Sequence, residues 1–221
     1  MTRPRLALFD CDGTLVDSQA NICLAAVEAF TLAGLTPPPA LAIRRIVGLS
    51  LVEAMRVLAP DQPDAMHHQL ASDYKAAFFR LRTAGAMEPE PLFDGIPALL
   101  DNLAGEGWLM GVATGKSDRG LKRVLAEHDL ADHFVTLQTA DRHPSKPDPS
   151  MVLAAMAETG VAAQDVAMIG DTSFDMAMGK AAGAFAVGVA WGYHDVTELV
   201  SAGAEVVAQE VADLPALLVR S

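Results

Sequence analysis

Short, continuously apolar runs that stop abruptly at Asp, Thr or Gly recur along the chain: Leu6 to Asp10, Trp108 to Thr114, Phe134 to Leu137, Val166 to Asp171 and Phe185 to Val189. Helix-like segments separate them. This alternation predicts an α/β fold with a parallel sheet. Hydrophobicity that is continuous instead of alternating predicts strands covered by helices on both faces. In such a sheet, side chains that do chemistry gather at the carboxyl ends of the strands.

The spacing from the first run to the second, Asp10 to Trp108, is far longer than one crossover helix requires. The intervening residues read as helices. Ile22, Ala26, Phe30 and Ala33 form one stripe, closed by Gly34 and the breaker Pro37-Pro38-Pro39. Ser50-Leu51-Val52-Glu53 has the form of a capping box and opens a second helix that ends near Pro60. A third helix is predicted from Asp64 to Arg82, with Leu70, Tyr74, Ala77, Phe78 and Leu81 on its apolar side. Met87-Glu88-Pro89-Glu90-Pro91 then returns the chain to the sheet. The predicted organisation is a core of residues 1–15 and 90–221 interrupted by an all-helical domain over 16–89.

The 221 residues are 51% hydrophobic, enough for a buried core. The low aromatic content of 5%, with Ala, Leu and Val carrying the apolar load, disfavours an all-β sandwich. A formal net charge of −12 argues against nucleic acid and against anionic membrane surfaces as partners. Arg3 and Arg5 precede an apolar run that Asp10 ends too soon for a signal peptide. Ala181 to Tyr193, interrupted by glycines, falls short of the roughly 20 apolar residues that span a bilayer. The two cysteines, Cys11 and Cys23, frame neither a disulfide scaffold nor a zinc site. A cytoplasmic protein, monomeric or homodimeric, is expected.

Leu8-Phe9-Asp10-Cys11-Asp12-Gly13-Thr14 places two carboxylates where a buried strand becomes a loop. An isolated pair of this kind can simply cap a turn; it also suits a hard divalent cation such as Mg²⁺, with one carboxylate attacking an electrophile and the other moving a proton. Further strand ends bear on the choice. Thr114 and Gly115 offer a hydroxyl and backbone N–H groups to phosphate oxygens. Lys146 sits in the stiff loop Ser145-Lys146-Pro147-Asp148-Pro149 before a helix over 150–158. Gly170-Asp171-Thr172-Ser173-Phe174-Asp175 adds two acids after the fourth strand.

These segments, in this order, resemble the motifs of the haloacid dehalogenase-like hydrolase superfamily, and the match spans nearly the whole chain. The resemblance implies a Rossmann-like parallel core with the helical insert as a cap, as in the subfamily that contains phosphoglycolate phosphatases and β-phosphoglucomutases. It also implies that Asp10 attacks phosphorus to form an aspartyl-phosphate and that Asp12 protonates the leaving oxygen and then activates water. Mg²⁺ would be held by the Asp10 carboxylate, the Asp12 backbone carbonyl and Asp171, with support from Asp175, while Thr114 and Lys146 would hold phosphate oxygens. An acidic residue at position 12 favours phosphate ester or anhydride hydrolysis, because superfamily dehalogenases and phosphonatases carry non-acidic residues there.

The expected activity is therefore Mg²⁺-dependent hydrolysis of a small phosphorylated metabolite resembling 2-phosphoglycolate. A sugar-phosphate mutase, an inorganic pyrophosphatase and a non-catalytic binding module are the alternatives. Arg44 and Arg45 are candidates for an anionic leaving group, with Lys75 and Arg80 behind them; a solvated helix face explains all of them equally well. Gly115-Lys116-Ser117 resembles the end of a P-loop, but Met110 stands where that motif needs glycine. Met110 also breaks the dinucleotide pattern that Gly105 and Gly107 begin.

Overall fold

The structure, a computed structural model, describes residues 4–219; Arg3 lies outside them. Six strands form one sheet: β1 (Arg5–Phe9), β2 (Trp108–Thr114), β3 (Thr136–Thr139), β4 (Val166–Gly170), β5 (Phe185–Val189) and β6 (Val206–Ala208). Their spatial order is β3-β2-β1-β4-β5-β6, and every neighbouring pair is parallel. Between β1 and β2 the chain makes α1 (Gln19–Leu32), α2 (Ala40–Arg44), α3 (Leu51–Leu58) and α4 (Asp64–Thr83). The helices α5 (Ile96–Gly105), α6 (Asp118–Glu127), α7 (Ser150–Thr159), α8 (Ser173–Ala181), α9 (Val196–Ala202) and α10 (Leu214–Leu218) accompany the sheet.

Strand β1 shows why its sequence is apolar at every position. Ala7 and Phe9 join a core with Leu100, Val112, Leu121 and Ile169, whereas Leu6 and Leu8 point to the other face and pack with Met151, Val152, Met168 and Met178. Period-two alternation thus buries both sets. Each large side chain removed from water contributes about 1.5–3 kcal/mol, so the central strands anchor the fold.

In register, Phe9 pairs with Val112 on one side and Ile169 on the other, which brings the carboxyl ends of β1, β2 and β4 to one level. Chain order reverses direction at β1, between β2 and β4. That crevice is where an open parallel sheet binds ligands.

The helical insert has its own small core of Phe30, Met55, Leu70 and Ala71, flanked by the half-buried Leu51, Leu58 and Tyr74. The third predicted helix is observed as α4. Several local expectations change. Ser50 takes the N-cap position of α3, but its side chain makes no capping bond; its backbone N–H instead donates to Ser145 Oγ at 2.8 Å, so this cap is replaced by a tie to the sheet domain. Strand β3 begins at Thr136, two residues later than its apolar run. The short elements α2 and β6 lack a periodic pattern long enough to read. No described helix is long and apolar enough to cross a membrane.

Candidate active site

Asp10 follows the last residue of β1, and its backbone N–H is held by the Ile169 carbonyl at 2.8 Å. Extending the β1–β4 ladder in this way fixes the direction of its side chain. Asp10 Oδ1 accepts the Cys11 backbone N–H at 2.6 Å and lies 2.9 Å from Lys146 Nζ. Its other oxygen, Oδ2, is buried without a hydrogen-bond partner. Lys146 Nζ also donates to Asp175 Oδ1 at 2.6 Å, and all three side chains are buried.

The first turn of α8 holds Asp175 through a capping box. Asp175 Oδ2 accepts the Thr172 backbone N–H at 3.1 Å and its hydroxyl at 2.6 Å. Thr172 and Asp175, three apart, satisfy orphan amides that would otherwise be buried at the helix start. Asp171 accepts the Thr14 hydroxyl and the Tyr193 backbone N–H, each at 2.9 Å. Two glycines make room for it: a Cβ on Gly13 or on Gly192 would run into the Asp171 carboxylate. Gly13 also has φ +87°, a conformation that strains other residues.

One oxygen from each of Asp10, Asp171 and Asp175 falls within a group no wider than 4.8 Å. Burial pushes the Asp10 carboxyl up to about 7, with repulsion from Asp175 and Asp12 adding to the effect and Lys146 opposing it. Asp171 is raised well above the carboxylate range by burial, then by Asp10 and Asp175. Burial works against the charge of Lys146, but Asp10 and Asp175 outweigh it and raise its pKa. One lysine does not neutralise three carboxylates. The orphaned Asp10 oxygen, the all-oxygen donor set and the surplus negative charge fit a hard divalent cation such as Mg²⁺.

Asp12 stands apart from that group. Its carboxylate lies 2.7 Å from Lys116 Nζ and accepts the Ser18 hydroxyl. The side-chain cluster therefore comprises Asp10, Asp171 and Asp175, leaving Asp12 only its backbone carbonyl to offer a metal. Thr114, at the end of β2, is buried; its hydroxyl accepts the Lys116 backbone N–H at 3.2 Å. Gly115 follows it, and a Cβ there would meet the Leu49 and Gly48 carbonyl oxygens at 2.6 and 2.7 Å, so the insert rests directly on the strand end.

A cavity of about 730 Å³ opens between the helical insert and this strand end, with Asp12, Gly115 and Lys116 in its wall. Arg44 and Arg45 do not line it. Arg45 faces α9, pairing with Asp195 at 3.6 Å and Glu198 at 3.3 Å, so its charge is already answered. Arg44 is exposed, beside the Cys23 thiol. Arg80 pairs with Glu28. Lys75 does line the cavity.

Sequence reading passed over Lys116, Ser18 and Tyr193. Lys116 was visible only as a broken P-loop, because nothing local shows that its ammonium reaches back to Asp12. Tyr193 lies in the loop after β5, where Ser18 N–H donates to its hydroxyl at 3.2 Å and Trp191 Nε1 donates to the Thr14 carbonyl at 3.1 Å. These ties cross more than 170 residues of chain and leave no periodic signal.

The haloacid dehalogenase-like hydrolase family model matches residues 7–189. The chain is 36% identical over 205 residues to a protein named probable phosphatase IndB from Dickeya dadantii, covering 91% of this chain and 88% of that one. It is 33% identical over 196 residues to a phosphoglycolate phosphatase from Pseudomonas putida, covering 87% and 72% respectively. Among solved structures, a hydrolase from Pseudomonas syringae superposes with a TM-score of 0.84 at 27% identity, covering 97% of each chain. The match takes in β1 through β5, and with them every strand end described above: the chain belongs to the haloacid dehalogenase-like hydrolase family.

Proposed function

We propose that this hydrolase is a Mg²⁺-dependent phosphatase of a small phosphorylated metabolite resembling 2-phosphoglycolate, acting through an aspartyl-phosphate on Asp10. The observation that carries the reading is the buried, unpartnered Oδ2 of Asp10 beside Lys146, Asp171 and Asp175. Residues 16–89 act in this reading as a cap over a core of 1–15 and 90–221. A cytoplasmic location goes with it, on the acidic charge and the two free cysteines.

The chain's own residues divide the work. Lys146 and the Cys11 amide hold Asp10 Oδ1, which leaves Oδ2 to bond phosphorus. As that bond forms, the ester P–O bond breaks and Asp12, which enters the step protonated, gives that proton to the leaving oxygen. Thr114, the Gly115 backbone and Lys146 hold the phosphoryl oxygens. Asp12, now ionised and kept in place by Lys116 and Ser18, takes a proton from water. The water oxygen attacks phosphorus, the bond to Asp10 breaks, and inorganic phosphate leaves. Asp10, Asp171 and Asp175 would hold Mg²⁺, with the Asp12 carbonyl; when bound, the ion supplies positive charge that offsets the carboxylates and the phosphate.

Phosphate release from 2-phosphoglycolate with and without Mg²⁺ tests the proposal, together with trapping of a hydroxylamine-sensitive phosphoenzyme. Asp10→Asn should abolish both signals while leaving the fold intact. Retained Mg²⁺-dependent turnover in that variant would refute the nucleophile assignment.

A further inference from the structure

The cavity above Asp12 is much larger than a phosphorylated two-carbon acid. Its volume of about 730 Å³ lies within the ~300–1,000 Å³ range of sites that enclose drug-sized ligands. Its far wall comes from the insert and is largely apolar, with Ile22 and Ala26 from α1, Met55 from α3, and Tyr74, Phe78 and Phe79 from α4, which also contributes Lys75 and Arg82.

Several of the charges around it are held in ion pairs. Lys116 pairs with Asp12 at 2.7 Å, and Arg123 pairs with Glu90 at 3.1 Å and with Glu127 at 2.7 Å. Arg82 faces Glu127 at 3.5 Å, but that carboxylate is shared with Arg123, and Arg82 Nη1 is buried without a hydrogen-bond partner. Among the described residues only Lys75 and Arg119 line the cavity without an acidic partner, and both are exposed. Arg82 and Lys75 belong to α4 and Arg119 lies over Phe79, so the positive charge left without a full partner stands beside the aromatic rings.

Planar groups cluster on the same side. Arg119 lies over the Phe79 ring at 5.3 Å, Arg82 over Phe78 at 5.2 Å, and the Tyr74 and Phe78 rings are 6.0 Å apart. Aromatic faces and guanidinium plates stack on flat apolar bodies and gain little from hydroxyl-rich ones.

From the cavity's size and the aromatic rings that α4 sets in its wall, we infer that the substrate is a phosphate monoester of an alcohol bearing an apolar ring, the ring seated against α4 and the phosphoryl group against Asp10. The inference rests on the phosphatase reading and sets a larger, apolar leaving group in place of the 2-phosphoglycolate-like one. Phe79 and Phe78 are then specificity residues that touch the leaving group, and the Asp12–Lys116 pair marks the boundary between ring and phosphate.

The test compares 2-phenylethyl phosphate, ribose 5-phosphate and 2-phosphoglycolate with the wild-type protein and Mg²⁺. The first two are primary-alcohol esters, so leaving-group reactivity differs little between an apolar ring and a polar one. The expected result is a kcat/KM at least 10-fold higher for 2-phenylethyl phosphate than for either other ester, and a drop of about 5- to 30-fold for that ester alone in Phe79→Ala. Phe79 is 55% exposed, so its loss leaves the insert folded. Phosphate release with 2-phosphoglycolate or ribose 5-phosphate preferred would overturn the inference and leave the phosphatase reading standing. If none of the three esters turns over, calorimetry with Asp10→Asn separates the claims: tighter binding of the phenylethyl ester upholds the pocket's preference while the catalytic reading fails, and equal or absent binding overturns the preference as well.

Discussion

Lys146 Nζ lies 2.9 Å from Asp10 Oδ1 and 2.6 Å from Asp175 Oδ1, with all three side chains out of contact with water. The lysine comes from the loop before α7, the aspartates from the end of β1 and the start of α8. A residue that holds phosphate in the proposed chemistry is therefore also what lets two carboxylates be buried together.

Replacing Lys146 by Met should cost stability as well as activity. Removing one partner of a buried ion pair leaves uncompensated charge, typically a loss of about 3–5 kcal/mol. Urea unfolding of Lys146→Met at pH 7.5 should show that loss, and adding Asp175→Asn should recover part of it. A midpoint unchanged in the single variant would count against the pair's structural role.

Metal-free protein should be less stable at pH 8 than at pH 5.5 as far as the acid cluster is concerned. Asp10 and Asp171 have raised pKa values, so the folded state holds protons that the unfolded chain has released. For Asp10 this contribution is lost as pH rises through about 7. Mg²⁺ should reverse the loss, raising Tm more at pH 8 than at pH 5.5, and Asp171→Asn should largely remove the Mg²⁺ response. Differential scanning fluorimetry across pH reads all three effects.

Glu90 should contribute to the acid limb of stability in the opposite sense. Burial opposes its charge, but Lys116, the Asn21 amide and Arg123 together hold its carboxyl below the usual glutamate range. Its contribution is present above pH ~4.3, the ordinary glutamate value, and disappears as pH falls through the lower folded value. Glu90→Gln should cost about 1–3 kcal/mol at pH 7 and flatten the stability profile between pH 5 and 3, as followed by circular dichroism.

Gly13→Ala should damage the site through the backbone. At φ +87° a side chain costs about 1–3 kcal/mol, and the new Cβ would displace the Asp171 carboxylate. Weaker Mg²⁺ binding by calorimetry is the expected signature. Gly34→Ala, also at positive φ but with open space around it, should show the strain without the binding defect.

Arg45→Ala should be nearly silent. Its partners Asp195 and Glu198 lie on the surface, where such pairs contribute about 0–1 kcal/mol. Equal KM values for wild type and variant on any hydrolysed ester would agree with its position away from the cavity.

The amino-acid pattern by itself determined five of the six strands and which side chains stand at their ends. Leu6 to Phe9 and Val166 to Ile169 are apolar at every position because both faces are buried, and a strand pattern that complete needs no tertiary information to read. The same locality made Asp10, Asp12, Thr114, Lys146, Asp171 and Asp175 visible. Tertiary structure decided what those residues do to one another. The separation of Asp12 from the other three acids depends on Lys116 and Ser18 reaching it from different elements. The outward turn of Arg45 depends on where α9 lands. The cavity exists only because α1, α3 and α4 fold back over the strand ends. Charge pairing and enclosed volume are properties of distance in space, and a linear pattern with a period of two or 3.6 residues carries no record of contacts made across the whole length of the chain.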